Sequence, residues 1–181
     1  MKYILALALL FNGIVMGQTT TEKSRKIKLG ARASKDALPI PISGIQIVPV
    51  CADTFHLGYV QVGMANKRIA AVPDKPLTAF LQDYADGTWG QRYTANGVRL
   101  LWVIKDLRVS ERTRGMGEKA FVRLKAAVFL AADQQHYRQV ALVDTILMKG
   151  GGMDATGKHG RNIAAALELL LYASNSPAAD T

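Results

Sequence analysis

A chain of 181 residues, 49% hydrophobic and 20% charged, has the length of one domain and enough apolar residues for a packed core, which excludes an intrinsically disordered protein. Its one cysteine, Cys51, excludes an internal disulfide framework. The net charge of +9 favours anionic partners over cationic ones.

Lys2 followed by the apolar run Tyr3 to Phe11, with Val15-Met16-Gly17 before Gln18, predicts a secretory signal peptide over 1–17 and cleavage ahead of Gln18. The run is short for a membrane anchor and is interrupted by Asn12 and Gly13. Residues 18–44 lack periodicity and carry Lys23, Arg25, Lys26, Lys28, Arg32 and Lys35, which reads as a flexible basic lead-in. In an exported chain such a cluster points to envelope polymers or anionic lipid headgroups, with peripheral membrane contact, and not to nucleic acid.

Ile45 to Val50 and Gly58 to Met64 predict two strands, with Ala65-Asn-Lys67 as a turn and Arg68 to Val72 as a further short strand. Cys51, beside the first of these, reads as a buried, inert thiol. Pro76 opens a helix, with Asp74 as its candidate cap; Leu77, Phe80, Leu81 and Tyr84 lie on one face, and Gly87 is its predicted end. Trp89 then falls in a loop, where it is either a stacking aromatic on an interaction surface or a lid on the core.

Val98 to Met148 predicts three long strands joined by hairpins at Ser110 to Glu118 and Asp133 to Gln135. The middle strand alternates most clearly: Ala120, Val122, Leu124, Ala126, Val128 and Leu130 form its core row, and Arg123 and Lys125 mark a charged face. Val140, Leu142 and Ile146 continue the apolar theme, with Asp144 breaking it. A last helix is predicted from Arg161 to Ser174, and 176–181 reads as a disordered tail.

Gly152-Met-Asp-Ala-Thr-Gly157-Lys158-His159 matches the phosphate loop G-x-x-x-x-G-K up to its last position. His159 stands where a hydroxyl would hold Mg²⁺, and the preceding strand belongs to a run of hairpins, so nucleotide hydrolysis is not the expectation. What survives is an anion-binding segment at a helix start, with Gly157, Lys158, His159 and Arg161 as its residues. His56, His136 and His159 have no metal-ligand spacing, although Asp53 and His56 are close; no Gly-x-Ser-x-Gly elbow is present; Asp83 and Asp86 lie on the polar face of a helix. Arg108, Arg112 and Arg114 read as a solvated hairpin.

The order of pieces from Ile45-Gln-Ile-Val-Pro-Val and Asp53 through Leu57-Gly-Tyr-Val-Gln-Val, Pro76-Leu77, three long strands and a helix reaching Leu171 resembles YajG-like envelope lipoproteins over about 45–174. The resemblance implies a periplasmic or outer-membrane protein without a catalytic residue to carry over. Two positions depart from it: no cysteine follows the signal peptide, and Phe55 stands where an arginine often follows the Asp.

The expected fold is therefore α+β, an antiparallel sheet with two helices packed on one face, over a single domain at 45–175. The expected function is a non-enzymatic, periplasmic or secreted envelope protein that binds another protein or an envelope component, with no cofactor and no metal. Arg123, Lys125 and Trp89 are its candidate interaction surface. The alternative is a small-anion or ligand binder using 150–161.

Overall fold

The computed structural model describes residues 23–34, 37–63, 65–114, 117–131, 136–150 and 155–175. The predicted signal peptide, the tail 176–181, the turn Asp133 to Gln135 and Gly151 to Asp154 of the glycine-rich segment lie outside the described residues. The elements in chain order are β1 (Ser24–Ile27), β2 (Ile42–Pro49), β3 (Gly58–Val62), β4 (Lys67–Pro73), α1 (Leu77–Trp89), β5 (Val98–Arg114), β6 (Gly117–Ala131), β7 (Tyr137–Gly150) and α2 (His159–Ala173). Single 3-10 turns, Gly90–Arg92 and Thr156–Lys158, follow α1 and precede α2.

The class is α+β, but the sheet is mixed, which corrects the antiparallel expectation. Its seven strands run in the order β1-β4-β3-β5-β6-β7, with β2 beside β5. β1 pairs with β4, β2 with β5 and β3 with β5 in parallel, while β3–β4, β5–β6 and β6–β7 are antiparallel. The chain between β2 and β5 holds two strands and a helix, ample length for the crossover that a parallel pair requires. β2 takes the first half of β5, from Ile42↔Val98 to Pro49↔Ile104, and β3 meets the same edge farther along at Gly58↔Val109. The free side of β2 is held by one side chain of α1: Gln82 Oε1 accepts the Ile47 N–H at 3.0 Å and Gln82 Nε2 donates to the Ile45 carbonyl at 2.8 Å. The amide thus substitutes for a neighbouring strand.

The three long strands form as the alternation predicts. Ala120, Val122, Leu124, Ala126 and Val128 are buried, opposite Glu111, Val109, Leu107, Ile104 and Trp102 of β5. A bulge between Ile104 and Asp106 shifts the phase of β5, so the buried row passes from even to odd numbers. A second bulge, between Val128 and Phe129, leaves Val140 of β7 as the extra residue between Ala141, opposite Val128, and Gln139, opposite Phe129. Beyond it Val143, Thr145 and Leu147 are half-buried, while Leu142, Asp144 and Ile146 face solvent. The expected apolar row of β7 is therefore split between two faces.

Both helices are longer than predicted, for one reason. α1 buries Leu77, Phe80, Leu81, Tyr84, Ala85, Thr88 and Trp89, so its stripe runs past Gly87. α2 buries His159, Asn162, Ile163, Ala166, Leu167, Leu170 and Leu171, a stripe that begins two residues before Arg161. Asp74 does not cap α1; Pro76 occupies that position without a side-chain bond. The glycines at Gly87 and Gly160 are where the N-terminal segment crosses the helices. A Cβ at Gly87 would come within 2.8 Å of the Ala31 Cβ, and one at Gly160 would collide with the Lys28 carbonyl. The space matters more here than the helix-breaking tendency of about 1 kcal/mol.

That crossing also corrects the expected flexible lead-in. Residues 24–27 form β1, Ile27 is buried in the core, and the Ser34 N–H donates to the Thr88 carbonyl at 2.8 Å. Ser-Arg-Lys-Ile carries one apolar residue, too few for periodicity to reveal an edge strand.

Candidate functional site

The alternate face of β5, β6 and β7 carries the residues of greatest functional interest. The pairing places Ser110 beside Phe121 and Met148, Arg108 beside Arg123 and Ile146, and Asp106 beside Lys125 and Asp144. Leu142, opposite the buried Ala127, extends the surface. Across its middle runs a chain of ion pairs. Arg108 Nε lies 2.9 Å from Asp106 Oδ1, and Arg123 Nε 3.3 Å from Asp106 Oδ2. Arg123 Nη2 reaches Asp144 Oδ1 at 3.3 Å, and Lys125 Nζ approaches Asp144 Oδ2 at 3.6 Å. Each pair is substantially exposed, so each stabilises by about 0–1 kcal/mol, and the network serves mainly to orient its side chains.

The charges do not stand alone. Leu142 is 65% exposed, Ile146 62% and Met148 49%, all on β7, the outermost strand at that end of the sheet. Tyr59, Phe121, Arg123 and Ile146 help line a depression of 480 Å³ on this face. Exposed aliphatic side chains beside an oriented ionic band suit a protein contact, where apolar area supplies affinity and charge fixes register.

Arg123 and Lys125, expected on an interaction surface, lie together on this exposed face, both beside Asp144. Trp89 does not: it is 2% exposed and sits edge-on between Tyr84 and Trp102, with ring centroids 5.6 and 5.7 Å away. Of the two readings of Trp89, the structure places it as core. Asp106, Asp144, Leu142, Ile146 and Met148 were missed as surface partners. The alternation of β7 was visible, but the bulge that turns Leu142 and Ile146 outward has no local sequence mark.

The four residues expected to bind an anion do not converge. Gly157 and Arg161 are exposed, and Lys158 Nζ donates to the Gly150 carbonyl at 3.1 Å. His159 is fully buried, its Nε2 2.9 Å from Glu111 Oε1. Glu111 Oε2 also accepts the Gln61 N–H, so one carboxylate joins β3, β5 and α2. Burial pushes the Glu111 carboxyl up, but the bonds from His159, Gln61 and Thr156 outweigh it and hold the group below the usual carboxylate range. Among the described residues His159 Nδ1 has no partner. The tautomer with its hydrogen on Nε2 therefore leaves only a bare lone pair buried, and donates to the carboxylate. Neither group faces solvent, and the pair is a structural clasp.

Asp53 and His56 are exposed, 3.0 Å apart; Asp53 Oδ1 accepts the Phe55 and His56 N–H groups at 2.8 and 2.9 Å. The His56 N–H, then the Phe55 N–H, hold the Asp53 carboxyl below its ordinary value. Asp53 thus closes a turn. Cys51 Sγ lies 3.5 Å from the Ile104 carbonyl, and burial pushes its thiol up, away from the thiolate. Among the described residues no set of three His, Cys, Asp or Glu side chains gathers as metal ligands, and no helix is long and apolar enough to cross a membrane.

No family model matches the sequence, and no curated protein matches it. The fold is similar to that of protein XCC0632 from Xanthomonas campestris, of family DUF330, at 13% identity and a TM-score of 0.54, over 83% of this chain and 94% of that one. A second solved structure, of an uncharacterized protein, aligns at 10% identity and a TM-score of 0.37, over 85% of this chain and 95% of that one. The likeness to XCC0632 is one of backbone arrangement; the class is an α+β domain with a seven-stranded mixed sheet.

Proposed function

We propose that this chain is an exported, non-enzymatic protein of the cell envelope, periplasmic or secreted, that binds another protein through the open face of β5, β6 and β7. In this reading both helices cover the opposite face: Trp89 of α1 touches Trp102, and His159 of α2 holds Glu111, two residues of the buried β5 row. The observation that carries the proposal is the solvent exposure of Leu142, Ile146 and Met148 along an outermost strand of 14 residues. The apolar start of the chain supports export, and the resemblance to YajG-like lipoproteins supports the envelope. Glu111, His159, Asp53 and Cys51, four groups whose chemistry could serve catalysis, are each engaged in hydrogen bonds within the fold.

The test is the double substitution Leu142→Asp and Ile146→Asp. Both side chains are exposed, so thermal unfolding is expected to stay within about 0.5 kcal/mol of wild type. Binding to a partner isolated with the wild-type protein from its own envelope is expected to fall by about 2 kcal/mol or more, roughly thirtyfold. Undiminished affinity for that partner would remove this face as the contact.

A further inference from the structure

We infer that the basic edge formed by β1 and the start of α2 is a second binding site, for phosphate-bearing anions presented as the headgroups of an anionic membrane surface. Residues 23–34 contain Lys23, Arg25, Lys26, Lys28 and Arg32 and no acidic residue. As a free tail these cations would be diffuse. The fold instead fixes three of them: Ile27 is anchored in the core, β1 is paired along Ser24↔Ala70 to Ile27↔Pro73, and the Lys28 carbonyl lies against Gly160. Arg25, Lys26 and Lys28, all exposed, then line a cleft of about 410 Å³ whose other wall is Thr156, Gly157 and Gly160. A cleft of this size lies in the range of small-ligand sites.

The pairing pattern sets this cluster apart from the cations held in ion pairs. Lys75, Arg108, Arg123 and Lys125 each have a carboxylate partner. Among the described residues Arg25, Lys26 and Lys28 have none. Asp74, at the end of β1, meets it only through its backbone N–H, bonded to the Ile27 carbonyl at 3.2 Å. Basic residues on an outermost strand also discourage sheet-to-sheet pairing. That role asks only for scattered charge and does not call for three unpaired cations around one cleft. The positive end of α2 adds to the field there without being its source. By sheet order β1 and β7 are the two outermost strands, so a membrane-facing edge leaves the β7 face free for a protein.

The experiment is vesicle co-sedimentation of the purified full-length protein and of an Arg25→Ala, Lys26→Ala, Lys28→Ala variant. The probes are phosphatidylcholine vesicles with and without phosphatidylglycerol. Wild type is expected to bind only the phosphatidylglycerol vesicles, with affinity falling as salt rises, and the variant about a hundredfold more weakly. The single Lys26→Ala change is expected to cost about fivefold, and Lys67→Ala, outside the cleft, less than about twofold. A parallel titration with inorganic phosphate separates the sources of the anion. Phosphate that leaves vesicle binding intact supports the membrane headgroup; phosphate that binds alone and displaces the protein from vesicles overturns the membrane assignment in favour of free phosphate. Equal binding of wild type and the triple variant, or equal binding to pure phosphatidylcholine, overturns the site itself, and neither result bears on the β7 face.

Discussion

Replacing His159 with alanine is expected to lower the free energy of unfolding by about 3–5 kcal/mol at neutral pH, because it leaves a carboxylate in the core without its strongest donor. Glu111 and His159 are both closed to solvent, and the carboxylate joins β3 and β5, whose backbones are paired at one bridge, Gly58↔Val109. Removing the imidazole leaves Glu111 with the Gln61 N–H and Thr156, too few donors for a buried charge. Glu111→Gln is expected to be milder, about 1–3 kcal/mol, since its amide can accept one bond but turns a donor toward another. The pH dependence has a definite sign. A carboxyl held lower in the folded protein than in the unfolded chain, where it lies near about 4.3, binds fewer protons when folded. Its stabilisation is complete above that unfolded value and is lost as pH falls through the folded one. The penalty of His159→Ala should therefore narrow in acid, and urea unfolding of both proteins from pH 7 downward measures it. A constant difference across that range would show that Glu111 does not carry the charge assigned to it.

Gly58→Ala is expected to destabilise the fold by about 3 kcal/mol or more. Gly58 has φ of 120°, a conformation essentially closed to other residues, and a Cβ there would collide with the Val109 carbonyl. Its neighbour Leu57 is buried, donates to the Ala71 carbonyl at 2.7 Å and accepts the Val109 N–H at 2.6 Å. The change thus strikes the backbone bridge between β3 and β5. Chemical unfolding should show a lowered midpoint with Gly58→Ala and little effect from Gly30→Ala, where a Cβ meets open space. Equal midpoints for Gly58→Ala and wild type would mean that β3 and β5 are not held together there.

Much of this architecture was legible. The alternation of Ala120 to Leu130 announced β6 and its core row, and Leu77, Phe80, Leu81 and Tyr84 announced α1. Strand direction was not, because period-two alternation is the same in a parallel and an antiparallel strand; β2 was open to either pairing, and β1 did not read as a strand at all. The helix ends were hidden by Gly87 and Gly160, which look like stops and serve as crossing points for Ala31 and Lys28. His159 illustrates the result: it falls on the buried stripe of α2 with Asn162, Ile163 and Ala166, yet beside a glycine-rich run it reads as an anion ligand. Arg123 and Lys125 were recognisable as surface because they alternate with a strong apolar row. Their acidic partners Asp106 and Asp144 were not, since each depends on a strand register set by a bulge.

The charged band and the aliphatic side chains of β7 form one surface in this account, and a photoreactive residue introduced at Ile146 examines that surface in the living cell. Ile146 is 62% exposed and pairs with Arg123 across the ladder, so the probe points outward without disturbing the core. Irradiation is expected to join the protein to one discrete partner from Ile146, and from Leu142, but not from Lys67 on the β3–β4 hairpin. Labelling of the same species with equal yield from Lys67, or none from Ile146 and Leu142 while the partner remains bound, would contradict it.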